Sequence, residues 1–369
     1  MKRESNIRHL LGSNIVPILF LVLSAAAIPM SGFSMPYLVQ EIVTRLARNS
    51  FLVLSLLLPI MAGMGLNFGM VLGAMAGQIA LIMITDWQIT GIGGLSMAVL
   101  LALPIAILLG ILCGYILNKA KGREMVTSMI LGFFINGIYQ MVVLYAMGPI
   151  IHINRADLVL SRGYGIRNAV SLDGVRQVID NLLMFQIGPI KIPGLTFLVI
   201  AALCGFILWF RKTKLGQDMR AVGQNMSVAD AVGIPVERTR IIAIVISTVL
   251  ACIGQIIFLQ NIGTLNTYNS HDQAAMFAVA SLLIGGATVS KASIPNVFIG
   301  VMLFHLMFVV SPMAGQEMFG KAQLGEYFRV FVSYGIIALT LVLHAWRRQK
   351  DKDNERIRVR EAHNAAVAE

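Results

Sequence analysis

The chain is 369 residues long, 57% hydrophobic and only 13% charged, with a mean hydropathy of +0.77. Soluble domains carry about 25% charged residues, so this composition excludes an ordinary soluble protein. The formal net charge of +11 invites a nucleic-acid partner, but Lys and Arg cluster at the ends of apolar runs, so no nucleic acid is expected.

Apolar runs of about 17–25 residues recur, and as a helix each reaches across a hydrocarbon core about 30 Å thick. Unpaired backbone groups are not tolerated in lipid, and the alternating pattern of a membrane barrel is absent. The expected fold is therefore all-α: a polytopic integral membrane protein in the lipid bilayer of the cell membrane, with about ten transmembrane helices. The expected organisation is a transmembrane domain over 1–346 and a charged cytoplasmic tail over 347–369.

The basic start MKRESNIRHLLGSN precedes an apolar run, Ile15–Met30. Ala25, Ala26 and Ala27 give it the look of a cleavable signal peptide, yet the many later spans favour an uncleaved first helix with a cytoplasmic N-terminus. Met35–Ser50 reads as an amphipathic helix at the outer interface, with Leu38, Ile42, Val43 and Leu46 on one stripe. Phe51–Met83 is too long for one span and breaks at Ala62–Asn67. Further spans are predicted at Leu95–Leu117 and Met125–Met147, joined by the inner loop Lys119–Glu124.

An outer segment follows over 148–193, where Leu172, Val175, Ile179, Leu182 and Leu183 predict a surface helix. The span Gly194–Phe210 leads into a polar, basic insert, 211–240. In it Asn225 and Ser227 predict the start of a short helix, Val228–Val232, which Gly233 ends. Spans at Ile241–Leu259, Ala274–Ala287, Pro295–Val310 and Phe328–Trp346 complete the count. Ten spans put both termini inside, and about 20 of the 29 Lys and Arg then fall on the cytoplasmic side.

No nucleotide-binding G-x-x-x-x-G-K-[ST], no H-E-x-x-H and no C-x-x-C occurs, so no catalytic residue, metal or cofactor is expected. Cys113, Cys204 and Cys252 lie in apolar runs and read as small core residues. His305 lies mid-span, as a functional group or as a neutral imidazole bonded to a neighbouring helix. Gly69, Gly73 and Gly77, and Gly110 with Gly114, form small-residue stripes for close helix packing.

Gly-rich interruptions at Gly63–Gly69 and Gly285–Ser293 suggest broken helices in two pseudo-related halves, about 51–147 and 241–346. Polar residues within the spans are Asn67, Gln78, Asn136, Gln140, Gln255 and Ser281. They read either as a route for a neutral, hydroxyl-rich solute or as bridges between helices.

The insert GQDMRAVGQNMSVADAVGIPVERTR closely resembles the cytoplasmic loop of the membrane subunits of bacterial ATP-binding cassette (ABC) importers for sugars, nucleosides and branched-chain amino acids. The matching residues are Gly216, Arg220, Ala221, Gly223, Asn225, Ala229, Gly233 and Ile234. The resemblance implies a coupling helix in 211–240 that docks on a separate ATPase subunit. It also implies a second permease subunit, making a homo- or heterodimer, and an external solute-binding protein that meets the outer segment. Arg220 would pair with an acidic rim on the ATPase, Ala229 and Val232 would supply an apolar contact, and Gly223 and Gly233 would allow turns. The solute implied is a sugar or nucleoside before a branched-chain amino acid. The alternative, an ion-coupled secondary transporter, calls for paired charges at mid-membrane, whereas Asp86 and Glu326 sit near span ends. An intramembrane hydrolase built on Ser281 and His305 has no motif behind it.

Overall fold

The computed structural model describes residues 15–331 together with 334, 335, 338 and 342. The predicted tail 347–369 and most of the predicted span Phe328–Trp346 lie outside the described residues. The fold is mostly helical. Among the described residues, five helical segments are long and apolar enough to cross a membrane: Met35–Met61, Gly91–Lys119, Glu124–Ala146, Val236–Ile262 and Ile294–Phe319. A sixth candidate, Gly194–Phe210, continues after a 75° bend into Lys214–Gln224.

In chain order the helices are α1 (Ile15–Met30), α2 (Met35–Leu54), α3 (Leu57–Met61), α4 (Met70–Asp86), α5 (Gly91–Lys119) and α6 (Glu124–Met141). After the outer segment, which holds the one-turn α7 (Val178–Asn181), come α8 (Gly194–Phe210), α9 (Lys214–Gln224), α10 (Met226–Ala231), α11 (Val236–Ile262), α12 (Asp272–Ile284) and α13 (Ile294–Phe319). At about 1.5 Å per residue, the 13-residue α12 reaches only about 20 Å, short of a bilayer core.

Helix α11 is the central post, packed mainly against α5 and α4, with α2 on another side. The small-residue stripes explain how it fits. A Cβ on Gly73 would stand 2.1 Å from the Thr248 carbonyl oxygen, and one on Gly77 3.0 Å from that of Cys252. On α5, Gly110 and Gly114 approach Val245 and Ile241 with the same intimacy, 3.0 Å to each Cα. Helix α4 is buried on nearly every side, whereas α5 and α6 turn Leu100, Leu108, Phe133 and Phe134 outward.

Met35–Ser50 departs from the interfacial helix expected of it. It runs on through Phe51 as α2, and with α3 it forms one apolar 27-residue segment. Its charges need no headgroup water, because Arg45 pairs with Glu41 at 3.1 Å and lies over the Phe308 ring, and Arg48 lies over Phe258.

The outer segment corrects the predicted surface helix. Strand β1 (Ala169–Ser171) pairs antiparallel with β4 (Thr264–Asn266), and β2 (Met184–Ile187) pairs with β3 (Ile190–Pro193). Between them lie only one 3-10 turn, Asp173–Val175, and α7. The left-handed backbone at Gln177 (φ 51°) and Leu183 (φ 56°) breaks the helical run. Leu172 and Val175 are buried, but Leu182 and Leu183 are exposed.

Two buried carboxylates tether this segment. Asp86 accepts from the Asn154 and Arg155 backbone N–H groups at 2.7 and 2.9 Å. Asp180 accepts from Thr196, Gln260 and Asn261. On the surface the Arg155 guanidinium, bonded to Asp157, holds that carboxyl below its ordinary range.

Candidate functional site: the loop 211–240 and the two helix breaks

The loop 211–240 folds as two short helices with polar caps. Thr213 Oγ1 accepts from the Gly216 N–H at 3.2 Å and starts α9. Asn225 Oδ1 accepts from the N–H groups of Ser227 and Val228, at 3.0 and 3.1 Å, and starts α10. The predicted helix Val228–Val232 is therefore Met226–Ala231, two residues earlier at its start, with Asn225 rather than Ser227 as its cap. Gly233, at φ 85°, makes the predicted turn after it.

The other motif residues sort into different places. Ala229 is buried with Val222 and Val236 in a small apolar cluster, against which Ala221 and Ile234 pack. The apolar contact expected of Ala229 and Val232 is thus split, since Ala229 faces inward. Val228 (58% exposed) and Val232 (70%) remain as the outward apolar pair. Gly216 is buried under the Phe210 carbonyl, 2.0 Å from where its Cβ would be.

Gly223 makes no turn; it lies inside α9 and serves as a contact point. A Cβ there would stand 2.2 Å from the Met61 carbonyl oxygen and 3.0 Å from the Gly63 nitrogen. Met61 and Gly63 border the first helix break, where Gly63 and Gly65 adopt φ 73° and 71°. The second break, Gly285–Ser293, is closed by Asn296, whose Nδ2 donates to the Gly285 carbonyl at 2.7 Å. The two breaks meet each other, since a Cβ on Gly65 would be 3.1 Å from Val289 Cγ1.

A cavity of about 490 Å³ opens where the loop and the breaks converge, and Arg211, Arg220, Lys291 and Ser293 are among its lining residues. Arg240, the last residue of the basic insert 211–240, is wholly buried and paired with Glu124. An ion removed from water is held by a counter-ion rather than by lipid headgroups.

The polar residues of the spans divide as well. Gln78, Asn136 and Gln140 come together around His271. The His271 ring nitrogens lie 2.9 Å from Gln78 Oε1 and 2.8 Å from Asn136 Oδ1. Gln140 Nε2 reaches Asn136 at 3.4 Å, and Tyr139 Oη lies 2.9 Å from both Gln78 Oε1 and the Thr267 carbonyl. A neutral imidazole donates from one nitrogen only, so a second proton or a turned amide completes this chain.

Gln255 stands apart, its Nε2 donating to the Ser270 carbonyl at 3.1 Å. Asn67 caps the first break, its Oδ1 accepting from the Gly69 N–H at 2.9 Å. Ser281 sits where α12 presses on α13: a Cβ on Gly300 would be 1.8 Å from its carbonyl oxygen. Sequence reasoning missed His271 and Tyr139, because Asn261–Gln273 reads as an outer loop and Tyr139 as one more apolar residue. The pairing of this loop with the segment 148–193, through β4 and β1, carries no local signal.

The family profile described as branched-chain amino acid transport system / permease component matches residues 38–341. The chain is similar to the xylose/arabinose import permease protein of Sulfolobus acidocaldarius, 27% identical over 237 residues, 62% of this chain and 58% of that protein. It is also similar to the autoinducer 2 import system permease protein of Photorhabdus luminescens, 23% identical over 234 residues, 63% of this chain and 61% of that one. A third relative is the high-affinity branched-chain amino acid transport system permease protein of Escherichia coli K12, 26% identical over 148 residues, 40% and 42% of the two chains. The aligned part thus spans at most 61% of the length of these relatives. No solved structure matches the chain.

Proposed function

Because the chain belongs to the permease-component family of branched-chain amino acid transport systems, we propose that it is the membrane subunit of an ATP-binding cassette importer. It forms the path for a small polar solute, a sugar or nucleoside before a branched-chain amino acid. A separate ATPase subunit docks on 211–240, a second permease subunit completes the path, and an external binding protein delivers solute at 148–193. The chain crosses the cell membrane about ten times with both termini in the cytoplasm, the short α12 crossing only together with the break that follows it, and its breaks belong to two pseudo-related halves.

The observation that carries this reading is the contact of the loop with the first break at Gly223 and Gly63, and of that break with the second at Gly65 and Val289. A push on the loop reaches the first break through backbone contact at Gly223 and Gly63, and from there the second break through the short, β-branched side chain of Val289. Rigid elements of this kind transmit a partner's movement into the membrane. The polar residues Asn67, Gln78, Asn136, Gln140, Gln255 and Ser281 then lie within or beside the moving parts. Reconstitution in liposomes with and without the ATPase subunit tests the reading. Solute accumulation that requires ATP and the ATPase supports it, and accumulation by the chain alone on an ion gradient overturns it.

A further inference from the structure

We propose that a single subunit contains its own solute site, an uncharged pocket for a neutral monosaccharide between α2, α11, α12 and α13. The inference rests on the permease reading and deepens it. The pocket holds about 380 Å³, within the range of small-molecule sites, about 300–1,000 Å³. Asn49, Gln255, Asn269, Gln273 and His305 supply its polar wall, and Phe258 and Phe277 its aromatic one.

Three features point to a ligand of this chemistry. First, two wall residues carry buried polar atoms without a partner among the described residues. Gln255 and His305 are 0% and 4% exposed, and Gln255 Oε1 and His305 Nδ1 make no hydrogen bond. Buried polar atoms are almost always satisfied, so orphans at a cavity wall mark a place for a hydroxyl or an ordered water.

Second, among the described residues no Lys, Arg, Asp or Glu lines the pocket. Of the cations nearby, Arg45 is paired with Glu41, and Arg48, whose buried Nε has no partner among the described residues, lies over the Phe258 ring behind the wall and is not itself a lining residue. A zwitterionic amino acid stripped of water would need charged counter-groups for its carboxylate and ammonium, and the lining offers none. A sugar hydroxyl both donates and accepts, as do the amides of Asn49, Gln255, Asn269 and Gln273.

Third, Phe258 and Phe277 give the wall apolar aromatic surface, which suits the C–H face of a sugar ring. Asn269 and Gln273 also line a second cavity of about 430 Å³, beside Asn136 and Asp272. Asn269, in the turn before α12, and Gln273, in its first turn, therefore border both cavities.

Two measurements test the site. Gln273 is exposed, so Gln273→Cys folds without repacking and presents a thiol at the pocket. In nanodiscs its reaction with a methanethiosulfonate reagent is expected to slow severalfold with D-xylose, L-arabinose, D-ribose or D-fructose, and to be unchanged by L-leucine. In the source organism, uptake of the same labelled solutes is compared among the intact, deleted, Gln273→Leu and Asn269→Leu chains. The two variants are expected to lose sugar uptake by about tenfold, the worth of about 1.4 kcal/mol. Sugar uptake at the intact level in both variants, or protection of the thiol by L-leucine but by no sugar, overturns the site and leaves the permease reading standing. Uptake that ignores deletion of the chain overturns both.

Discussion

Gly223 of α9 lies against Gly63 of the first helix break so closely that a Cβ on Gly63 would come within 2.8 Å of the Gly223 Cα. Two backbones in contact form a stiff joint, because neither carries a side chain able to yield. Gly223→Val is expected to pry the loop from the break while leaving α9 helical, since Val is only mildly disfavoured in a helix. Transport should fall by about 5–150-fold, the range of a lost coupling free energy of about 1–3 kcal/mol. Membrane insertion, followed by protease accessibility of the outer segment, should not change. Gly63→Ala should act alike, with added strain from its positive φ.

The proposed docking surface for an ATPase subunit is a separate matter from the motif that builds the loop. Val228 and Val232 are the outward apolar residues, whereas Ala229 is inside. Val228→Asp and Val232→Asp should each weaken co-purification of the ATPase subunit by about tenfold or more, the scale of a hot-spot side chain. Neither should change the thermal stability of the chain. Ala229→Asp should do the reverse in order of cause, melting the loop first by burying a charge.

Arg240 and Glu124, 116 residues apart in sequence, form a buried ion pair at the N-terminal end of α11. Arg240→Met leaves Glu124 unpaired in a poorly hydrated place, and breaking such a pair costs about 3–5 kcal/mol. A second change, Glu124→Gln, should recover much of that loss. The midpoint of thermal unfolding in detergent measures both. A double variant no more stable than Arg240→Met alone would show that the loss comes from the missing guanidinium and its contacts rather than from an unpaired Glu124.

How far the fold was readable follows from what stands out against an apolar background. The breaks at Gly63–Gly69 and Gly285–Ser293 and the loop after Phe210 interrupt long hydrophobic runs with glycine and polar residues; both breaks are where the sequence puts them, while the loop ends five residues before the expected Arg240, because Val236–Arg240 already belong to α11. The length of α2 was hidden because Glu41, Arg45 and Arg48 look like a solvated face, while their partners Phe308 and Phe258 are more than 200 residues away. The outer segment misled for a related reason. Leu172, Val175 and Ile179 carry a helical period, yet β1 pairs with a strand about a hundred residues later, and long-range pairing overrides local spacing. Of the polar residues in the spans, those around His271 form one group only because the turn before α12 folds back into the bundle.

Asp180 offers a test of how the outer segment is held. Its carboxylate satisfies Thr196, Gln260 and Asn261, so Asp180→Ala orphans three buried donors. Each lost partner costs about 1–3 kcal/mol where water cannot replace it. Limited proteolysis from the outer side should then cut within 148–193 at protease levels that spare the intact chain. If the variant resists as well as the parent, β1–β4 pairing alone holds the segment.

Ser281 and Gly300 separate a packing role from a role in the path. Ser281 is buried, its hydroxyl has no partner among the described residues, and its carbonyl oxygen would lie 1.8 Å from a Cβ on Gly300. Removing an unsatisfied buried hydroxyl is close to neutral, so Ser281→Ala should keep its thermal midpoint. Gly300→Ala must push α12 and α13 apart, and overpacking of this kind costs about 1–3 kcal/mol. If Ser281 serves only the contact, Ser281→Ala also transports normally while Gly300→Ala loses both stability and transport. A Ser281→Ala chain that is stable yet transports poorly would instead place the hydroxyl in the route of the solute, opened to it only when the second break moves.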